Sequence, residues 1–125
     1  LHRGSFVEVL QSSNILLCMA GTATEQAVGL GKPVLQLLGK GPQFTASFAE
    51  AQRRLLGPTV FCADGTVGKE MNLRHTASLI CDLLDRSKHD PYLEKECRQQ
   101  ALKRLGGEGG SKRIAQEISQ LPCFF

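Results

Sequence analysis

The sequence lacks the features that mark several common classes of protein. Its 15 lysines and arginines are spread among 12 acidic residues, and the net charge is only +3, so no basic patch for nucleic acid is predicted. No apolar run approaches the roughly 20 residues of a membrane-spanning helix, and no signal-peptide pattern is found. Low-complexity stretches are absent, and 42% of the residues are hydrophobic. These absences favour an ordinary globular domain in the cytoplasm.

Cysteine is present, but without the spacing of a metal site or a disulfide framework. The five cysteines include no CxxC pair, and the three histidines are scattered. We therefore expect no metal and no cofactor. Several cysteines fall at apolar positions of predicted elements, which predicts reduced, mostly buried thiols. The cysteines are Cys18, Cys62, Cys81, Cys97 and Cys123.

The length of 125 residues suits one domain, which buries roughly two thirds of its unfolded surface at this size. The chain begins at Leu1, without a methionine and directly in a helical pattern. We interpret residues 1–125 as a single, truncated domain. A βαβ core is expected over about residues 14–62, and a helical part over about residues 66–121.

The most informative stretch is Asn14–Leu38. Its pattern predicts a buried strand over Ile15–Met19, a tight turn at Gly21, a helix from Thr22 and a second buried strand over Pro33–Leu38. Glycine lets a backbone approach a ligand closely. The free N–H groups of the following helix converge beyond the carboxyl end of the strand. This turn is therefore a predicted anion site.

Further elements flank this stretch. The apolar spacing and the turn residues predict two more helices and a third strand. The first helix runs to about Ser13 and is opened by a capping box of Ser5 and Glu8. The second covers about Gln43–Leu56 and ends at Gly57; its inward residues are Phe44, Phe48, Ala51 and Leu55. The strand covers Thr59–Cys62 and is followed by an Asp64–Gly65 turn.

The rest of the chain is predicted to be helical. Alternating strands and helices indicate a parallel sheet, and three strands are few for one, so we expect an open edge able to self-associate. The first of these helices covers Lys69–Arg86, and its inward residues are Leu73, Ala77, Ile80, Cys81 and Leu84. The second covers Pro91–Leu105, is capped by Asp90 and ends at Gly106. The last is capped by Ser111, and its inward residues are Ile114, Ala115, Ile118 and Leu121.

Two interpretations fit the first turn of the helix in the central stretch. The backbone amides and hydroxyls of Gly21, Thr22, Ala23 and Thr24 would bind a diphosphate, while Glu25 would accept hydrogen bonds from the vicinal hydroxyls of a sugar. Alternatively, Thr22 and Glu25 form a capping box that serves the helix alone. Both alternatives stay open at this point.

Two residues after the second strand are further candidates. Because the negative charge of Glu25 repels a nearby phosphate, a positively charged donor is expected to balance it. Lys40, in the glycine-rich loop after the second strand, is the nearest candidate in the topology. Gln43 could reach the same crevice with its amide. A solvated loop lysine and a water-facing glutamine are the simpler alternatives.

Three segments together resemble a known family. GTATEQAVGLGKPVLQL, GKGPQFTASFAEAQRRLLG and GGEGGSKRIAQEI are similar to the nucleotide-sugar-binding, C-terminal half of GT-B glycosyltransferases. The resemblance is to the lipid A disaccharide synthase-related proteins of cyanobacteria and plants in particular. The peptidoglycan N-acetylglucosaminyl transferase and the UDP-N-acetylglucosamine epimerases are more distant. The resemblance covers Phe6 to about Leu121.

The resemblance implies a partial Rossmann-like domain that binds a UDP-sugar donor. Gly21, Thr22, Ala23 and Thr24 would hold the UDP diphosphate. Glu25 would bind the ribose hydroxyls, and Gln43 would contact the donor sugar. The helix Ser111–Leu121 would pack toward a missing N-terminal acceptor domain. No residue present is an evident general base, so no catalytic residue is assigned and we expect binding without turnover. The parent protein could lie at a membrane surface.

Two other functions stay open. A UDP-sugar epimerase would need acidic and histidine residues that we cannot place. A non-catalytic interaction module on the same fold is favoured by the apolar ending Leu121–Phe125 and by the open sheet edge.

Overall fold

The computed structural model describes residues 5–19, 21–64 and 69–122. Within them the fold is α/β, with an open three-stranded parallel sheet flanked by helices. The elements in chain order are α1 (Phe6–Ser12), β1 (Leu16–Cys18), α2 (Thr22–Gly29), β2 (Val34–Gln36), α3 (Ala46–Leu56), β3 (Val60–Cys62), α4 (Glu70–His89), α5 (Pro91–Leu105) and α6 (Gly110–Gln120).

The sheet has the order β1-β2-β3, and both pairings are parallel. Cys18, Gln36 and Cys62 lie side by side at the last register position of the three strands. Because parallel strands end at the same edge, the segments that follow all three strands leave from one side of the sheet. This confirms the predicted parallel sheet with an open edge, although each strand is shorter than its apolar run.

Both faces of the sheet are covered at its central strand, which explains why β2 is an uninterrupted buried run. The two faces pack against different helices, as side-chain alternation along a strand requires. One cluster joins Leu10, Ala27, Val28, Val34, Leu56 and Val60 from α1, α2, α3 and the sheet. The other joins Leu35, Ala63 and Leu83, with Ile15, Leu37, Phe61, Leu79 and Ile80 at its margin.

Helix α5 contacts α2, α3 and α4, and so ties the helices of the two faces together. Its start is as predicted, since Asp90 Oδ1 accepts from the backbone N–H groups of Tyr92 at 2.9 Å and Leu93 at 3.4 Å. Its end is as predicted too, because the helix stops before Gly106, whose φ is +78°.

The predicted inward face of α3 is wrong by one residue, and that of α4 is only partly right. In α3 the buried residues are Ala49, Gln52 and Leu56, each one position after the predicted stripe, and Leu55 is 64% exposed. In α4 the buried residue is Leu83 and not the predicted Leu84; Ile80 packs against the core as predicted, whereas Leu73 and Cys81 are exposed. One residue turns a helix by about 100°, so the choice of face depends on where the sheet lies and not on the side chains alone.

The last helix, the start of α3 and the capping of α1 also differ from the prediction. Helix α6 begins after Gly109, not at a Ser111 cap, and buries none of its residues, so the stripe of Ile114, Ala115, Ile118 and Leu121 faces outward. Helix α3 begins at Ala46, because the Thr45 hydroxyl caps it by accepting from Phe48 N. Ser5 lies at the N-cap of α1, but its side chain makes no cap hydrogen bond, so the predicted box with Glu8 is wrong.

Most of the described cysteines are not buried, in contrast to the prediction. Cys97 is buried, Cys18 and Cys62 are half-buried, and Cys81 is exposed. No disulfide joins these four. Cys123, Gly65 of the predicted turn and the last two phenylalanines lie outside the described residues.

Candidate anion-binding site

The backbone turn after β1 depends on Gly21. Its φ is +95°, a conformation that L side chains rarely adopt, and it occupies the N-cap position of α2. A Cβ built there would meet nothing within 4 Å. Glycine is therefore required by the backbone conformation and not by lack of space. The Gly21 carbonyl accepts from the Thr24 N–H at 3.0 Å, which closes the first turn.

The start of α2 excludes the predicted capping box of Thr22 and Glu25. Because Gly21 holds the N-cap, Thr22 is already the first helical residue, and no side chain caps this end. Glu25 lies one position beyond the site from which a box residue reaches back. Thr22 is exposed, and Ala23 and Glu25 are half-buried. The α-helix itself gives the amides of Thr22 and Ala23 no partner.

Thr24 points into the interior and not toward the edge of the sheet. It is fully buried, and its hydroxyl lies 2.9 Å from Cys18 Sγ. Its amide is engaged by the Gly21 carbonyl. Four residues were predicted to hold a diphosphate. Thr22 and Ala23 are the two of them whose amides lie at the helix N-terminus without a hydrogen bond of this kind to a carbonyl of the turn.

Two glutamines behind the turn were missed by the sequence analysis. Gln52 of α3 accepts from the Gly21 N–H at 3.4 Å and donates to the Gly21 carbonyl at 3.1 Å. Gln36, at the end of β2, donates through Nε2 to Gln52 Oε1. Its own Oε1 accepts from Cys62 Sγ at 3.8 Å. We call Gln36 and Gln52 the glutamine pair. The signal in the sequence that could have revealed it is Gln36, the one polar residue in the apolar run PVLQLL.

The loop after β2 lies against the segment after β1. The Leu37 N–H donates to the Cys18 carbonyl at 2.7 Å. Gly39 packs so closely on Met19 that a Cβ built on it would come within 2.0 Å of Met19 Cε. Lys40 lies in this loop and is exposed. The structure thus brings the loop that carries Lys40 to the same edge as the Gly21 turn.

Gln43 lies in the same loop, in a turn before α3, and is exposed. The turn is held by the Phe44 N–H, which donates to the Gly41 carbonyl at 3.2 Å, and by the Gly39 N–H, which donates to the Phe44 carbonyl at 3.1 Å. Gln43 is therefore a loop residue and not the helical residue that was predicted.

A charged cluster lies on α3 near the end of β3. Arg53 Nε donates to Glu50 at 2.6 Å, and Arg54 Nε donates to it at 3.1 Å. Hydrogen bonds from Arg53 first, and then from Arg54, lower the pKa of Glu50 to about 2. Glu50 in turn raises the pKa of Arg53. Burial raises the pKa of the neighbouring Cys62 thiol, so this thiol is not an activated nucleophile.

A separate cavity of about 320 Å³ lies near the start of β2. Its two cations are already engaged, because Lys32 Nζ donates to the Gln11 carbonyl at 2.9 Å and Arg98 pairs with Glu94 at 2.5 Å. This cavity is lined by Asn14, Leu30, Gly31, Lys32, Pro33, Ser87, Leu93, Glu94, Cys97 and Arg98.

Among residues 5–19, 21–64 and 69–122, no group of three or more histidine, cysteine or acidic side chains is placed to hold a metal ion. In the same ranges, none of the helices has both the length and the apolar character required to cross a membrane. Comparisons of the chain with protein-family models, curated proteins and solved structures gave no match.

Proposed function

We propose that this chain carries donor-binding elements of a UDP-sugar-dependent glycosyltransferase of the lipid A disaccharide synthase-like kind, on a Rossmann-like GT-B domain. The observation that carries the proposal is the shared edge of β1 and β2. There a glycine turn at positive φ opens α2, and the loop with Lys40 and Gln43 packs against the same segment. Ligands of open α/β sheets bind at such carboxyl edges.

The chemistry of the edge fits a nucleoside diphosphate. The Thr22 and Ala23 amides lie at the positive end of the α2 dipole, where negative charge is stabilised. Lys40 adds a cation from the neighbouring loop. The carboxylate of Glu25 can accept two hydroxyls of a ribose. The donor sugar would meet Gln43, and the acceptor would come from a second domain of the parent protein.

In this proposal, no residue of the chain takes part in the transfer reaction at the sugar as an acid or a base. In an inverting transfer, the helix N-terminus would stabilise the UDP leaving group as its charge develops. The base that activates the acceptor would belong to the acceptor domain. The chain by itself is proposed to bind UDP without turnover, in a reducing, cytosol-like compartment.

An NMR titration of the isotope-labelled chain with UDP tests this proposal. We expect saturable shifts confined to residues 21–25 and 40–43, with a dissociation constant on the order of 1 mM. UMP is the matched probe, because it lacks the second phosphate. It should shift the Thr22 and Ala23 amides less than UDP does. A well-dispersed spectrum without UDP shifts at either segment would refute the proposal.

Glu25→Ala separates a ligand contact from a purely structural role. Loss of the charged hydrogen bonds should weaken UDP binding by about 1–3 kcal/mol. Glu8→Ala is the matched control, because Glu8 is likewise an acidic residue in the first turn of a short helix. A lower melting temperature in both variants with unchanged UDP affinity would show that Glu25 serves α2 alone.

A non-catalytic interaction module is the second candidate, and α6 favours it. The side chains of Ile114, Ile118 and Leu121 are 61–65% exposed along one helix, and Leu17 and Met19 are exposed at the edge strand β1. Apolar surfaces of this kind are typical of contact sites. Light scattering over a dilution series would detect self-association, and Ile118→Glu should abolish it if α6 is the contact.

A further inference from the structure

The feature behind this inference is the buried side-chain amide of Gln52. Its residue is 9% exposed, and its partner Gln36 is fully buried. A buried amide without hydrogen-bond partners destabilises the folded state. Buried side-chain amides are therefore found where their polar atoms are hydrogen-bonded. Here both ends of the Gln52 amide are directed at the backbone of one residue, Gly21.

The two hydrogen bonds fix the orientation of the Gly21 residue from both sides. The N–H of Gly21 donates to Gln52 Oε1 at 3.4 Å, and the carbonyl accepts from Gln52 Nε2 at 3.1 Å. Because glycine at φ +95° has many accessible conformations, such a two-point contact removes freedom that the turn would otherwise have. Gln36 donates to the same Oε1 and so prevents the Gln52 amide from turning over.

We propose that Gln52 is a positioning residue, which holds the Gly21 N–H away from the ligand so that the Thr22 and Ala23 amides alone receive the anion. This rests on the proposed UDP site. It deepens that proposal by naming which amides contact the diphosphate and what orients them. Gln36 acts one step further back, by fixing the Gln52 amide.

The alternative is that the glutamine pair only packs the interior between α3 and the sheet. A packing role would change stability, but it would not change the affinity of the folded protein for UDP. Both quantities can be measured at a temperature where every variant is folded.

The experiment compares the full wild-type chain with Gln52→Met, which keeps the side-chain length and loses both hydrogen bonds to Gly21 as well as the one accepted from Gln36. Gln99→Met, at an exposed position of α5, is the control for the loss of a glutamine. Amide exchange is recorded without ligand, and UDP titrations follow. We expect faster exchange of the Gly21 amide and an affinity loss of about three- to tenfold in Gln52→Met, with Gln99→Met unchanged.

Each outcome decides between the two proposals. If wild type binds UDP and Gln52→Met binds it equally well, the positioning role is overturned while the UDP site stands. If wild type shows no UDP response, the site fails and the positioning role fails with it. If Gln52→Met does not fold, Gln36→Met decides. A weaker affinity in that variant supports the proposal, and an unchanged affinity overturns it.

Discussion

Replacing Thr59 by valine should stabilise the fold, because the threonine hydroxyl is buried without a hydrogen bond to any described residue. Thr59 is 1% exposed, and its Oγ1 has no hydrogen-bond partner among the described residues. Its backbone is unaffected by the change, since the Thr59 carbonyl accepts from the Val34 N–H at 3.1 Å. Valine has nearly the same shape, and it is β-branched like Thr59, which directly precedes β3.

The magnitude follows from two effects of the same sign. An unsatisfied buried hydroxyl costs about 1–3 kcal/mol, and a buried methyl group adds about 0.8 kcal/mol. Part of this is offset when the site relaxes, so we expect Thr59→Val to raise the free energy of unfolding by about 1–2 kcal/mol. At this chain length each kcal/mol corresponds to about 3–5 °C in melting temperature.

The assay is urea unfolding followed by circular dichroism, with Thr45→Val as the matched control. The Thr45 hydroxyl does have a partner, since it accepts from the Phe48 N–H at 3.2 Å, and losing this N-cap should cost about 1 kcal/mol. The same chemical change is thus expected to have opposite signs at the two positions. A lower midpoint for Thr59→Val would refute the reasoning, because it would mean that the hydroxyl is satisfied.

Three further predictions follow from single side chains. The pKa of Glu50, lowered from 4.5 to about 2, places its contribution to stability above pH 4.5, to be lost as the pH falls toward 2; a carbon-detected NMR titration with a midpoint near 4.5 would contradict this. Burial raises the pKa of Cys97 to about 11, so iodoacetamide at about pH 8 should label the exposed Cys81 before Cys97, as peptide mass spectrometry can check. Asp90→Ala should lower the free energy of unfolding by about 1 kcal/mol through loss of the α5 cap, and equal unfolding midpoints would contradict it.

The sequence was informative where local chemistry decides the structure. Asp90 followed by proline marks the start of α5, Gly106 marks its end, and the β-branched and apolar runs mark the three parallel strands. In each case the cause lies within a few residues of the effect. The Gly21 turn belongs to the same class, because positive φ is tolerated at little cost by glycine alone.

The site was only partly readable from the sequence. The positions of Thr22, Lys40 and Gln43 near one sheet edge follow from topology, since they come after two neighbouring strands. The inward direction of Thr24 does not, because it depends on contact with Cys18. Nor could the sequence pair Gln36 with Gln52, since they are 16 positions apart and a whole loop lies between them.

What the sequence determined by itself is therefore the order and type of the elements and the glycine that opens α2. Only the tertiary structure decided which face each helix buries. The apolar pattern of α3 allows Phe48 and Leu55 to face inward, yet packing on the sheet selects the face with Ala49 and Gln52. The physical reason is that helix rotation is set by close contact with a partner surface, and residue periodicity fixes it only to within about one residue.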